Sequence, residues 1–287
     1  MSARPTDPSN MTPRDPDHDT LDARAIARAL GASAKAIDVE VVDACTSTNA
    51  LLLDRAAGDR PRLLAAEFQS AGRGRRGRRW HSAPGAGLTF SLARRIRRPV
   101  SALSGLSLAA GVAVGRTLRE LGANVVELKW PNDLVAQGAK LGGILVETKP
   151  SDGAVLAVVG IGINCRRIPG LDARLRRQTI ALEQLLPSMP SRSLLAGRIA
   201  AAMLRAIESF ETDGLDRLRE DWEAMHACAG QRIRVRLADG HLLSGIAAGL
   251  ACDGALRLRT RSGIREVHSA TVVNARAGIA PRNRVAA

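Results

Sequence analysis

No tyrosine occurs in the 287 residues, and phenylalanine and tryptophan together bring aromatic content to only 2%. So few rings leave little platform for stacking bases, which weighs against a nucleic-acid binder despite a formal charge of +14. Lysine is nearly missing as well: Lys35, Lys129, Lys140 and Lys149 are the only ones among 42 basic residues. Arginine is the default cation, so a lysine kept inside a motif suggests that a compact ammonium is wanted there. The four cysteines, Cys45, Cys165, Cys228 and Cys252, lack metal-ligand spacing, and the five histidines are scattered. Spacing therefore proposes no metal site and no catalytic triad, and it leaves the cysteines as reduced, buried thiols. No apolar run reaches the roughly 18 residues of a membrane span. Ser101 to Leu121 comes nearest, but Ser104, Gly105, Ser107 and Arg116 interrupt it, which favours a core helix. Prolines and charges fill the start of the chain, with no signal-peptide core. Residues 1–20 are expected to be a disordered tail, and the protein to be cytoplasmic with no membrane partner.

What the chain does have is a cationic loop. In Gln69-Ser-Ala-Gly-Arg-Gly-Arg-Arg-Gly-Arg-Arg-Trp80, five arginines alternate with three glycines directly after the apolar run Leu63 to Phe68. Glycine lets backbone approach a ligand, and arginine brings a permanent charge on a flat fork of donors. The loop reads either as a solvated charge run or as an anion site. Its Gly72-x-Gly74-x-x-Gly77 spacing imitates a dinucleotide fingerprint, yet no helix opens at the loop and no acid follows at the required distance. The kinase and P-loop motifs are also missing.

Taken in order, Leu21 to Leu30 reads as a short helix, with too little chain before the next strand for a helix-turn-helix. Ile37 to Asp43 alternates like a strand. Thr46-Ser47-Thr48-Asn49 then opens a helix, its side chains either capping free N–H groups or donating to a ligand. Strands are expected at Gly87 to Ala93 and Val125 to Lys129, around a core helix from Leu103 to Leu121. Pro131 ends the second of these strands, leaving Asn132 and Asp133 on a loop. Lys140 to Glu147 and Ala154 to Asn164 are further strands, the first with Gly142 and Gly143 keeping one face open. A helix follows over Ser191 to Phe210, and another helix or turn over Asp216 to Met225. Short strands with Asp-Gly turns then form a small β-barrel beyond a boundary near Ala229. A cleft over a sheet, with one acid, one lysine and a cationic loop at its rim, results if these strand ends converge.

Gly72 to Trp80, Lys129-Trp-Pro-Asn-Asp133, Lys140-Leu-Gly-Gly-Ile-Leu-Val-Glu147 and Gly160-Ile-Gly-Ile-Asn164, in this order, resemble the signature of the biotin protein ligases. The similarity runs from about Ile37 to Val273. It implies an α+β fold: a mixed sheet with helices, like that of class II aminoacyl-tRNA synthetases, followed by an SH3-like barrel. The division expected is a 1–20 tail, a catalytic domain over 21–228, the barrel over 229–276 and a tail over 277–287. The resemblance implies that biotin and ATP with Mg2+ form biotinyl-5′-AMP, whose biotinyl group passes to a lysine of a biotin carboxyl carrier domain of an acetyl-CoA or acyl-CoA carboxylase. By the same resemblance, Lys140 bridges carboxylate and phosphate, Asp133 serves the incoming amine, and Arg73 and Arg75 with Gly74 close over biotin. Ser47, Thr48, Asn49 and Gln69 line the biotin pocket, which Gly142 and Gly143 shape. Arg75, Arg78, Trp80, Asn132, Lys140 and Asn164 face the nucleotide, with Trp80 packing under the loop rather than stacking on the ligand. Some relatives carry an N-terminal winged helix-turn-helix that is expected to be absent here, as is a tryptophan after Asn164 to cover adenine. The basic surface is expected either to steer an acidic carrier or to reflect arginine-rich coding.

Overall fold

The computed structural model describes residues 19–55, 58–168, 170 and 172–275. Helix α1 (Ala23–Ala29) is capped by the Asp22 carboxylate and leads through a 3-10 turn into strand β1 (Asp38–Cys45). Among the described residues, α1 and this 3-10 turn are the helical segments before β1. Helix α2 (Thr48–Asp54) connects β1 to its parallel partner β2 (Arg62–Gln69). The arginine loop joins β2 to antiparallel β3 (Gly87–Ile96), and helix α3 (Leu106–Glu120) leads on to β4 (Val126–Lys129). Strands β5 (Asp133–Ala136), β6 (Ala139–Ser151) and β7 (Ala154–Asn164) complete a seven-stranded sheet in the order β1-β2-β3-β7-β6-β5-β4. Asn132 lies in the expected turn, and the expectation is corrected only for Asp133. Asp133 pairs with Lys129 and opens β5, because the turn over Trp130 to Asn132 folds the chain straight back.

Short helix α4 (Ala173–Gln178), long helix α5 (Arg192–Asp213) and α6 (Arg219–Ala224) follow. Helices α3 and α5 pack on each other and α1 on α5, covering one face of the sheet with the main apolar core. The stretch Val100–Glu120 has the length and composition of a membrane span, but it is 67% buried in this core. On the opposite face α2 lies over a small second cluster of Leu52, Leu64, Ala93, Leu156 and Val158. The rest of that face is left for something else.

Five strands, β8 (Arg232–Leu237), β9 (Leu242–Leu250), β10 (Leu256–Thr260), β11 (Gly263–Val267) and β12 (Ala270–Ala275), form a second, antiparallel sheet. Strand β12, which has no turn signal of its own, was not expected from the pattern. The connector fastens the two sheets together: Leu128 N–H donates to the Met225 carbonyl and Ala227 N–H to the Leu128 carbonyl, closing the β4 edge. Trp130 Nε1 donates to the Gly254 carbonyl at 3.1 Å, a second tie.

The expected tails lie almost wholly outside the described residues, but Asp19 and Thr20 are in place. Arg192, 1% exposed, donates to the Asp19 and Gly87 carbonyls and pairs with Glu67 at 2.9 Å. A buried guanidinium costs several kcal/mol unless paired in this way, so the Asp19 end of the tail is fixed by a cation that hydrophobic patterning cannot show.

His226, in the connector, stacks tilted on Trp222 with ring centroids 4.5 Å apart. Burial pushes its pKa from the usual 6.5 down to about 4. Between those values the unfolded chain binds a proton that the folded chain refuses, so stability falls as pH drops through this window and levels off below it. We expect a loss on the order of 3 kcal/mol between neutral pH and pH 4, removed in His226→Gln. Urea melts across that range measure it.

Candidate active site

Strand parity builds the floor of a cavity on the open face. On β7, Val155, Ala157, Val159, Ile161 and Ile163 point into the helix-covered core, while Leu156 and Val158 pack under α2. The same alternation then presents Gly160, Gly162 and Asn164, all of which line a cavity of about 430 Å³. The two glycines are required by close approach. A methyl on Gly160 would strike Asn49 Oδ1, and one on Gly162 would lie 2.5 Å from the Trp80 ring.

The buried end is made where α2 begins. Ser47 is the N-cap residue, yet its side chain caps nothing. The Thr48 N–H donates instead to Gln69 Oε1 at 2.8 Å, so of the two readings of Thr46 to Asn49, capping by Ser47 is not the one found. Asn49 uses both ends of its amide on the protein: Oδ1 accepts from Ser91 Oγ at 2.6 Å, and Nδ2 donates to the Leu145 carbonyl and to Glu147 Oε2. Asn49 therefore sets the frame. Ser47 Oγ and Gln69 Nε2 are left to meet a ligand, in residues no more than 7% exposed, while Thr48 Oγ1 lies 2.6 Å from Ser91 Oγ and 3.2 Å from Gln69 Oε1. Such a group suits a small neutral ring carrying both a carbonyl and N–H groups.

Lys140 reaches the cavity through a slip in register. Leu134 pairs with Gly142 but Val135 with Lys140, so Leu141 is an extra residue, and its side chain goes into the core. A bulge of this kind re-aims the next side chain. Lys140 Nζ consequently lies on the same face as Gly143 and 2.6 Å from Asp133 Oδ1. The Lys140 carbonyl is held by Ile180 N–H at 3.0 Å and by Asn164 Nδ2 at 3.3 Å. Asn132 exchanges hydrogen bonds with Ile144, which fixes the turn before Asp133.

The arginine loop forms the rim. Arg73 and Arg79 bridge, Gly74 N–H donates to the Arg78 carbonyl at 2.7 Å, and Trp80 N–H to the Gly72 carbonyl at 2.9 Å. Arg76 at the tip takes the left-handed conformation, φ 57°, and its Nη1 donates to Thr271 Oγ1 on β12. Burial and the neighbouring Arg76 push the Arg75 guanidinium below the usual arginine value, with Asp133 pulling the other way. Arginine remains charged regardless, so an anion entering beside Arg75 relieves that burden.

Of the residues singled out from sequence, Ser47, Thr48, Asn49, Gln69, Arg73, Gly74, Arg75, Arg78, Trp80, Asn132, Asp133, Lys140, Gly143 and Asn164 all line this one cavity. Gly142 does not. It faces the Gly162 carbonyl inside the sheet, where a methyl would sit 2.5 Å away, because the bulge turns it aside. Sequence reasoning missed Arg166, Arg167 and Arg176, exposed at the rim, and the partly buried Ile168 and Leu175. It also missed Ala270 to Val272 of β12, which close one wall. The arginine pair directly after Asn164 was the one available signal. Among the described residues no three His, Cys, Asp or Glu side chains gather to hold a metal.

Residues 41–164 match the profile of the biotin/lipoate A/B protein ligase family, and residues 229–273 match the biotin protein ligase C terminal domain. The chain is 37% identical over 225 residues to the bifunctional ligase/repressor BirA of Escherichia coli, covering 77% of this chain and 68% of that protein. It is 36% identical over 259 residues to the biotin--[acetyl-CoA-carboxylase] ligase of Mycobacterium tuberculosis, covering 86% and 93% respectively. The solved structure of a biotin protein ligase from Aquifex aeolicus, in complex with biotin and ATP, shares the fold. Its TM-score is 0.72 at 24% identity, over 82% of this chain and 97% of that one.

Trp130 and Trp222 are 3% and 1% exposed, whereas half-buried Trp80 lies along the cavity, its Nε1 without a partner. We expect nucleotide binding to change tryptophan fluorescence mainly through Trp80. Titrating Trp80→Phe with ATP checks this, the expected result being loss of most of the signal.

Proposed function

As this chain belongs to the biotin/lipoate A/B protein ligase family, we propose that it is a biotin protein ligase acting on a carrier domain of a biotin-dependent carboxylase. The observation that carries the reading is that Lys140, 2.6 Å from Asp133, shares a single cavity with the neutral hydrogen-bonding residues Ser47 and Gln69 and with the arginines of the loop. The match to a biotin ligase C terminal domain favours biotin over lipoate. We place the division between catalytic and terminal domains at residues 228 and 229.

At neutral pH the carboxylate of biotin and the phosphates of ATP repel, so catalysis has to begin with cations between them. The ureido ring fits Ser47, Thr48 and Gln69 at the buried end, which points the carboxylate toward Lys140. A carboxylate oxygen attacks the α-phosphorus, a new P–O bond forms, and pyrophosphate leaves. Lys140 and Arg75 face the charge that develops. Biotinyl-5′-AMP stays under the loop, sheltered from water. The ε-amine of the acceptor lysine then attacks the acyl carbon, a C–N bond replaces the C–O bond to AMP, and the amine proton passes to Asp133. That carboxylate is occupied by Lys140 until the ammonium turns to the ligand's phosphate.

A magnesium ion is held chiefly by phosphates and water, with one or two carboxylates. Within the cavity Asn132, not the Lys140-paired Asp133, would meet the ion or its phosphates. The ion would offset phosphate charge. Ile168 and Leu175 offer the nucleobase an apolar surface and Arg176 a planar cation. ATP use and four free cysteines suit a cytoplasmic enzyme.

Incubation with biotin, MgATP and an apo carrier domain, with lipoate as the competing substrate, tests this reading. Biotin transfer supports it, and transfer of lipoate alone would refute it. In Lys140→Ala we expect adenylate formation to fall by roughly two to three orders of magnitude, followed by release of pyrophosphate.

A further inference from the structure

We infer that Glu147 is a positioning residue, the clasp that holds the arginine loop over the buried end of the cavity and thereby governs how long biotin stays bound. Its role in retention rests on the ligase reading; its role as a clasp does not. Glu147 lies on β6, with a side chain 26% exposed. A single oxygen, Oε2, accepts from Arg73 Nη2 at 3.1 Å and from Asn49 Nδ2 at 2.8 Å. Asn49 is 3% exposed and belongs to the frame of the buried end, whereas Arg73 is 44% exposed and begins the loop hairpin. One atom thus joins the interior of the site to its cover.

The remainder of the loop gives the clasp something to hold. Its hairpin is internally hydrogen-bonded, and it touches the second sheet through Arg76 and Thr271. Arg79 Nη2 returns to the Ser70 carbonyl. The only carboxylate that forms an ion pair with any of the loop's five arginines among the described residues is Glu147. A charge-assisted pair at this exposure contributes modestly, enough for a severalfold shift between covered and uncovered states. Because Asn49 shares the oxygen, a ligand that presses on the Asn49 frame alters the strength with which Arg73 is held, and occupancy of the buried end is relayed to the loop.

Five arginines make the loop a natural trypsin target, so cleavage of the unliganded protein reads the clasp without any activity. Glu147→Gln keeps an oxygen for Asn49 but loses the ion pair. Cutting between Arg75 and Arg79 should be roughly threefold to tenfold faster in Glu147→Gln, in Arg73→Gln and in the double variant alike. In Glu147→Gln, biotin dissociation and KM for biotin should rise by a similar factor while kcat for adenylation is unchanged. Wild-type cleavage in Glu147→Gln, or effects that multiply in the double variant, would overturn the clasp. Lower kcat at constant KM would show that Glu147 acts on the chemistry instead. A wild-type chain that makes no biotinyl-5′-AMP yet shows the cleavage pattern would remove the ligase reading and leave the clasp standing as a loop latch.

Discussion

Everything at the centre of this cavity depends on one ammonium being turned to the right face of a strand. Side chains on a strand alternate strictly, so a slip of one residue sends each to the opposite side. Leu141 supplies that slip: it fills the core, and Lys140 comes round to Asp133. Each charge is thereby stabilised by the other, in a pair that stronger partners can redirect. The backbone at Lys140 is pinned by Ile180 and Asn164, so the redirection is confined to the side chain.

A second constraint is the unequal covering of the sheet. Three helices seal one face, while α2 seals only part of the other. Strand β7 therefore serves as core wall along its whole length on one side, and on the other passes from Leu156 and Val158 under α2 to the glycines of the cavity floor. The second sheet is not an appendage. It closes the β4 edge through the connector, holds Trp130 by a hydrogen bond, and lends Thr271 to the tip of the loop.

Much of this was legible in the sequence because alternation and turn residues are local signals. The strands around Ile37, Leu63, Gly87, Val125, Lys140 and Ala154 stand close to where alternation or apolar runs put them, and so does the core helix from Leu106. Other features depend on distant partners. Nothing local says that the cap of α2 is supplied by Gln69, 21 residues on, or that Asp133 begins a strand whose partner is the bulged β6. Arg192 looks like one more surface arginine until Asp19, Glu67 and Gly87 surround it. Gly142 and Gly143 are indistinguishable in sequence, yet the bulge sends one into the sheet and the other to the site.

The wall built from Ala270 to Val272 has a consequence for how such a protein can change over time. A terminal module that merely followed the catalytic one could be exchanged, lengthened or lost with little effect on chemistry. Here the second sheet supplies part of the cavity wall, so a substitution on β12 reshapes a chamber whose floor belongs to the other sheet.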